Sequence, residues 1–300
     1  MSNTVSNPII PSGPKPKKFI TIERAIVYSV LGICAVFFLF PLYIMVITSL
    51  KDLDGIRYGN IFVPTLHPSL GAWDKALFHA CTGLYCEGIL PGFWNSCKIT
   101  GPSVVVSIAV ASVTGYSLAN WPFKFSEGFF TVLLVSSFIP YVVMLYPLVL
   151  ITRWLGIYST LPAVILVHTI FGLPILTLLF RNYFSSLPQE LFKAARVDGA
   201  GYWRIFFQVF APMSIPIFTV AVILQVTGIW NDFLFGVIYA GPRNYPMTVQ
   251  LNNIVNSLEG VKEYNVDMAA TILTGIVPLS IYFFSGKYFV RGIAAGAVKG

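Results

Sequence analysis

Charged residues are scarce in this 300-residue chain. Asp, Glu, Lys and Arg together make up 10% of it, whereas hydrophobic residues make up 56% and the mean hydropathy is +0.76. A soluble domain carries roughly 25% charged residues, and a large domain with far fewer cannot cover its surface in water. The composition therefore excludes a large soluble domain and indicates an integral membrane protein.

The chain also lacks the motifs of several enzyme and binding classes. Its three histidines form no H-E-x-x-H or other close metal-ligand spacing, and there is no G-x-S-x-G nucleophile motif. The net charge of +7 is scattered between apolar stretches, without a basic patch that is interleaved with aromatics. We therefore expect no catalytic residue, no metal ion and no nucleic-acid partner.

Cysteine is rare too, since four residues are too few to define a disulfide scaffold. Cys81 and Cys86 share one polar loop. They can form a disulfide if that loop faces an oxidising compartment, so the pairing stays open at the level of the sequence.

Long apolar stretches are what the chain has in abundance. Six of them are long enough to cross a bilayer, at about 25–49, 101–120, 128–151, 159–180, 213–237 and 268–290. They are continuously apolar rather than alternating, which favours helices over barrel strands. The sequence therefore predicts an all-α membrane protein with six transmembrane helices, surrounded by lipid. One membrane domain would cover 25–291, with tails at 1–24 and 292–300.

The distribution of Lys and Arg predicts the orientation. These residues are more frequent on the side of the N-terminus, which also includes the segment between the fourth and fifth spans. Cytoplasmic segments carry an excess of Lys and Arg. We therefore predict that both termini and the segment 181–212 are cytoplasmic, and that the loops at about 50–100 and 238–267 lie outside.

The segment 181–212 is the most unusual part of the chain. In its first half, Ser185 or Ser186 can cap a short helix with Pro188 in its first turn, and Asp198-Gly199 can end it, with Gly199 in a left-handed conformation. Leu191, Ala194 and Ala195 would form one small apolar face. A second short helix is predicted at about 201–209. Such a helix–turn–helix can dock in a groove of another protein or lie on the membrane surface.

The same segment resembles a known motif. Glu190, Ala194, Ala195, Asp198, Gly199 and Ala200 match the pattern E-x-x-x-A-A-x-x-D-G-A, and spaced prolines follow at 212 and 216. This pattern resembles the EAA loop of the permease subunits of binding-protein-dependent ABC importers. The resemblance extends over all six spans and is closest to the sugar-importing branch and its maltose-type second permease, with a glucose- or mannose-type permease the nearest likeness.

The resemblance implies a mechanism and a set of partners. The loop would be the coupling helix, seated on one of two ATP-binding subunits, and the tail from Gly292 to Gly300 would extend between those subunits. A second, non-identical permease would complete the pore, and an extracytoplasmic sugar-binding protein would deliver the sugar. The chain would be a transport subunit of a bacterial or archaeal cytoplasmic membrane rather than an enzyme. It has no G-x-x-x-x-G-K-[ST] phosphate loop, so ATP would be bound by the partner chain and not as a cofactor here.

A polar cluster in the fifth span is the candidate sugar site. Asn231 and Asp232 can hydrogen-bond sugar hydroxyls, and Trp230 can stack on a sugar ring. Alternatively, Asn231 and Asp232 hold helices together near the outer interface. The resemblance also implies that the segment from about Gly241 to Val266 reaches into the binding protein.

The competing interpretation of the whole chain is an ion-coupled secondary transporter. Proton coupling usually needs intramembrane carboxylates or histidine relays, and spans two to four contain no Asp or Glu. Sodium sites built from backbone carbonyls would still be compatible with the sequence.

Overall fold

The computed structural model describes the backbone of residues 21–83, 85–257 and 261–297, and the side chains of these residues up to 286. Within these ranges the regular structure is entirely helical. The α-helices are α1 (Ile22–Ser49), α2 (Leu53–Arg57), α3 (Gly71–Phe78), α4 (Leu90–Asn120), α5 (Ser126–Ser136), α6 (Tyr141–Trp154), α7 (Leu161–Ser186), α8 (Gln189–Val197), α9 (Tyr202–Ile205), α10 (Ala211–Met213), α11 (Ile215–Trp230), α12 (Met247–Val255) and α13 (Tyr264–Ala297). Two π-helical turns, Phe206–Phe210 and Gly236–Ala240, and a 3₁₀ turn, Pro242–Asn244, complete them.

The chain divides into two units by its internal contacts, one up to Ile44 and one from Met45 onwards. The described part of the first unit lies within α1 and presents exposed apolar side chains such as Phe37 and Phe38. Its length and hydropathy suit a membrane span, in agreement with the predicted span at 25–49.

The second unit is organised around the pair α4 and α7. Gly115 allows these helices to approach, because a Cβ atom added there would lie 2.7 Å from both the backbone nitrogen of Arg181 and Cβ of Phe180. Around this contact the core buries Ile108, Tyr116 and Phe180. This close contact fixes the spacing of the two helices against which α11 and the short helices pack.

One predicted span is bent in its middle, and another is bent at its start. α5 and α6 meet at an angle of 105°, and the segment α9–α10 meets α11 at 79°. The first break ends at Pro140, which lacks a backbone N–H and disfavours helical geometry in the residue before it. The predicted spans at 128–151 and 213–237 are therefore not single straight helices, since the first is bent before Pro140 and α11 ends at Trp230 within the second. Four described helices can cross a membrane by length and composition, or up to six if each bent pair is one span.

The last helix is longer than predicted. α13 runs from Tyr264 to Ala297, so the first six residues of the predicted tail, 292–297, continue the last helix. Residues 298–300 and the N-terminal segment 1–20 lie outside the described residues, and the roles predicted for them are untested.

Cys81 and Cys86 form a disulfide, which settles the pairing left open by the sequence. The loop that it closes is attached to α12, because Asn253 Nδ2 donates to the carbonyl of Thr82 at 2.9 Å. Cys34 and Cys97 are free.

The disulfide leads to a direct prediction. After denaturation without reductant, a maleimide reagent should label two thiols per chain, those of Cys34 and Cys97, because the other two are oxidised. After reduction it should label four, as counted by mass spectrometry. Four labelled thiols in the unreduced sample would contradict the disulfide, and Cys81→Ser is the control that frees Cys86.

Candidate functional site

The short helix α8 begins differently from the prediction. Ser185 and Ser186 are the last residues of α7, and Pro188 occupies the N-cap position of α8 without a side-chain cap. Leu187 is held extended, as expected for a residue before proline. The two serines therefore belong to the helix that ends here, and their predicted capping role is wrong.

The end of α8 agrees with the prediction. Asp198 is the C-cap, and Gly199 adopts φ +74°, a left-handed conformation that favours glycine. Nothing lies within 4 Å of a Cβ atom added to Gly199, so backbone conformation, and not space, is the reason for glycine there. Ala200 donates its N–H to the carbonyl of Ala195 at 3.0 Å and completes the turn.

The exposed side of α8 is a ridge formed by Glu190, Ala194 and Val197, which we call the outward ridge. All three are exposed, and Val197 retains 87% of its accessible surface. Phe192 lies on the opposite side and is buried. The predicted apolar face is thus divided, because Ala194 faces outwards whereas Ala195 packs against the core.

Phe192 of α8 packs among six aromatic rings from neighbouring elements, and we call these seven rings the aromatic cluster. Tyr116 lies at its centre, with ring centroids 4.9 to 6.0 Å from those of Tyr202, Phe206, Phe210 and Phe184. The full cluster is Tyr116, Trp121, Phe184, Phe192, Tyr202, Phe206 and Phe210. It joins the C-terminal ends of α4 and α7 to the whole helix–turn–helix. The sequence interpretation missed Tyr116 and Trp121, since they lie in and directly after an apolar span far from this segment in sequence.

Hydrogen bonds fix the orientation of these rings. Trp121 Nε1 donates to the Tyr116 hydroxyl at 2.8 Å, and this hydroxyl donates to the carbonyl of Tyr202 at 3.3 Å. The guanidinium of Arg196 in α8 lies over the Trp121 ring, 5.0 Å from its centroid. As a result α8 is packed against the core on one side and exposed on the other.

The residues of the candidate sugar site do not come together in one site. Trp230 is buried, its ring packs edge-on against Phe93, and its Nε1 donates to the carbonyl of Thr274 at 3.0 Å. The Trp230 ring therefore joins α11 to α13 and α4, and its faces are covered in this conformation. Asn231 is exposed just beyond the end of α11.

Asp232 has structural contacts on several sides. Its carboxylate accepts the N–H groups of Phe235 at 3.3 Å and Gly236 at 3.1 Å, and it lies 3.6 Å from His168 Nε2 of α7. Carboxylates stabilise the start of a helical segment in this way. The structure thus separates the three predicted residues into a buried ring, an exposed amide and a carboxylate that caps the following turn.

The segment 241–266 is packed rather than free over most of its length. Gln250 Oε1 of α12 accepts the N–H of Gly92 at 2.8 Å, and the N–H of Met247 donates to Ser96 Oγ at 2.9 Å. Both bonds attach α12 to the N-terminal end of α4. Residues 258–260, which would be part of the predicted reaching loop, lie outside the described residues. Among the described side chains, no group of three His, Cys, Asp or Glu residues is placed to hold a metal ion.

Comparison with known protein sequences gives a consistent result. The family described as "Binding-protein-dependent transport system inner membrane component" matches residues 107–295. The chain is 31% identical to the probable ABC transporter permease protein YurM of Bacillus subtilis, over 95% of this chain and 92% of the relative. It is 30% identical to the melibiose/raffinose/stachyose import permease protein MelC of the same organism, over 95% and 98%. A probable ABC transporter permease of Pyrococcus horikoshii is 44% identical, although the match covers 54% of this chain and 59% of that relative.

Solved structures share the fold. A bacterial ABC transporter involved in the import of the acidic polysaccharide alginate has a chain that superposes with a TM-score of 0.75 at 21% identity, covering 92% of this chain and 99% of that one. At this identity the likeness concerns the fold alone.

Proposed function

Because the chain belongs to the family of binding-protein-dependent transport-system inner-membrane components, we propose that it is one permease subunit of an ATP-driven sugar importer. Relatives named for melibiose, raffinose and stachyose and for α-glucosides support a mono- or oligosaccharide as the substrate. A glucose- or mannose-type sugar stays a prediction. In this proposal the chain forms half of the pore and does not itself hydrolyse ATP.

The observation that carries the proposal is the outward ridge on its aromatic support. We propose that Glu190, Ala194 and the turn at Asp198 to Ala200 dock on an ATP-binding subunit, with one such subunit for each of two permeases. The small side chain of Ala194 lets a partner approach the helix backbone closely, and the left-handed turn at Gly199 fixes where the ridge ends. Ala195 would contribute by seating α8 on the core.

The proposed docking also assigns an orientation in the membrane, and the family implies the remaining partners. The α8 end of the molecule would be cytoplasmic, and the end with α3, α12 and the disulfide would face the sugar-binding protein. A disulfide at that end agrees with an oxidising exterior. The second permease would be a different chain, and the C-terminal end of α13 would approach the ATP-binding subunits. Of the residues predicted to contact sugar, Asn231 has the exposed side chain, whereas Trp230 and Asp232 would require a different conformation.

The energy source distinguishes the proposal from an ion-coupled transporter. Liposomes containing this chain, its sister permease and the ATP-binding subunits should take up labelled oligosaccharide only with ATP inside and loaded binding protein outside. Vanadate should stop uptake, and collapse of proton and sodium gradients should leave it unchanged. Uptake that follows an ion gradient without ATP would overturn the proposal.

A further inference from the structure

A polar cavity lies at the end of the molecule opposite α8. Its volume is about 330 Å³, at the small end of the roughly 300–1,000 Å³ of ligand pockets. Three segments form its walls, namely the loop closed by the disulfide, the N-terminal end of α4, and the stretch from the 3₁₀ turn at 242–244 to α12. The side chains that matter for its chemistry are Tyr85, Glu87, Arg243 and Gln250.

The walls of this cavity are held in place before any ligand arrives. The disulfide closes one wall, and Asn253 attaches it to α12 through the carbonyl of Thr82. Asn95 Nδ2 donates to the carbonyls of Arg243 and Tyr245, both at 3.2 Å, and so fixes the other wall to α4. A preformed pocket loses little conformational entropy when it binds a ligand.

The polar groups around the cavity retain unused hydrogen-bonding capacity. Gln250 is 6% exposed and uses Oε1 for the N–H of Gly92, while its Nε2 donates to no residue that the structure describes. Arg243 Nε donates to the Tyr85 hydroxyl at 3.4 Å, and the other guanidinium nitrogens donate to none of the described residues. Within the described ranges, Glu87 has neither a hydrogen bond nor an ion pair, although it shares the cavity with Arg243.

We propose that this cavity is a sugar-binding subsite at the entrance of the transport path. The inference rests on the proposed function, which supplies the substrate class. One cation and one anion lining the same cavity balance each other, which favours a neutral ligand rich in hydroxyls over an anion. A hydroxyl both donates and accepts, and it can therefore use the amide of Gln250, the guanidinium of Arg243 and the carboxylate of Glu87. The Tyr85 ring adds an apolar face of the kind on which sugar rings stack.

Two substitutions test the subsite while keeping the backbone contacts of its walls. Gln250→Glu keeps an oxygen for the N–H of Gly92 and replaces the Nε2 donor with an acceptor. Arg243→Gln removes the charge of an exposed side chain while its backbone carbonyl still accepts from Asn95. His67→Gln, an exposed residue outside the cavity lining, is the matched control.

The measurement uses the assembled transporter in liposomes with saturating binding protein. The probe is whichever of melibiose, raffinose and maltose the wild type takes up fastest. Each cavity variant should lower the uptake rate roughly 3- to 10-fold, the loss expected for one hydrogen bond, while ATPase stimulation by the loaded binding protein stays at the wild-type level. Saturation-transfer NMR with the same sugar, on the complex without binding protein, should show contact in the wild type and in His67→Gln and a weaker signal in both cavity variants.

Three results would overturn the subsite. The first is wild-type uptake in both variants, and the second is the absence of an NMR signal from the wild-type complex. The third is a parallel loss of uptake and ATPase stimulation, because the cavity would then be a contact for the binding protein. Failure of the proposed function looks different, because wild-type uptake would then not depend on ATP.

Discussion

Ala194→Trp is expected to stop sugar uptake while the chain remains folded in the membrane. Ala194 is at the middle of the outward ridge, and its side chain contacts solvent rather than the core. An indole placed there would hold α8 away from the ATP-binding subunit. Removal of a central contact from a protein interface costs about 2 kcal/mol or more, which corresponds to a loss of roughly 30-fold or more. Uptake in liposomes and co-purification of the ATP-binding subunit measure the effect.

Two further variants make this test specific. Lys193→Trp adds the same indole to the preceding residue, which is exposed on the flank of α8, and should retain most of the uptake. Ala195→Trp should instead destabilise the chain, because Ala195 packs against the core. Full uptake by Ala194→Trp, with the variant present at wild-type level, would remove the coupling role from the outward ridge.

Gly115→Leu is expected to cause the largest loss of stability of any substitution considered. The new side chain would meet backbone and Cβ atoms of α7 at 2.7 Å, and neither can move without separating α4 from α7. Overpacking costs about 1–3 kcal/mol where a core can adjust, and 3 kcal/mol corresponds to a fall of roughly 10 °C in Tm for a domain of this size. The thermal midpoint of the detergent-solubilised chain, followed by size-exclusion chromatography, measures it.

Gly101 in the same helix provides the control. Nothing lies within 4 Å of a Cβ atom added there, so Gly101→Leu should leave the thermal midpoint unchanged or raise it through better helix propensity. Equal stability of the two variants would mean that α4 and α7 are not as closely packed as described.

The length of the apolar stretches was sufficient to predict a helical membrane protein, because a bilayer requires runs of this kind. The bends were not predictable from hydropathy. Pro140 interrupts one predicted span, whereas Pro102 and Pro174 lie inside continuous helices. The difference depends on whether neighbouring helices hold the freed backbone groups in place, which is a property of the packing and not of the local sequence.

The prediction at Gly199 was correct and the prediction at Trp230 was not, and the difference again depends on packing rather than on local sequence. Gly199 was predicted correctly, since a left-handed turn requires a particular residue type at a particular position. Trp230 was predicted to contact sugar, but its ring is buried against Phe93 and its Nε1 is used by Thr274. Whether an aromatic side chain faces a pore or a neighbouring helix depends on the rotation of the helix, and a uniformly apolar stretch does not specify this rotation.

The aromatic cluster has a mechanical consequence. Its rings pack edge-on or tilted against one another and are held by the hydrogen bonds of Tyr116 and Trp121, so they have little freedom to rearrange around a displaced neighbour. Closely packed interiors are nearly incompressible and transmit strain. We therefore expect a displacement of α8 to be passed on to the neighbouring helices rather than taken up by local repacking. The C-terminal ends of α4 and α7 should then be displaced, and the movement of one short surface helix should tilt the pair of helices around which the second unit is organised.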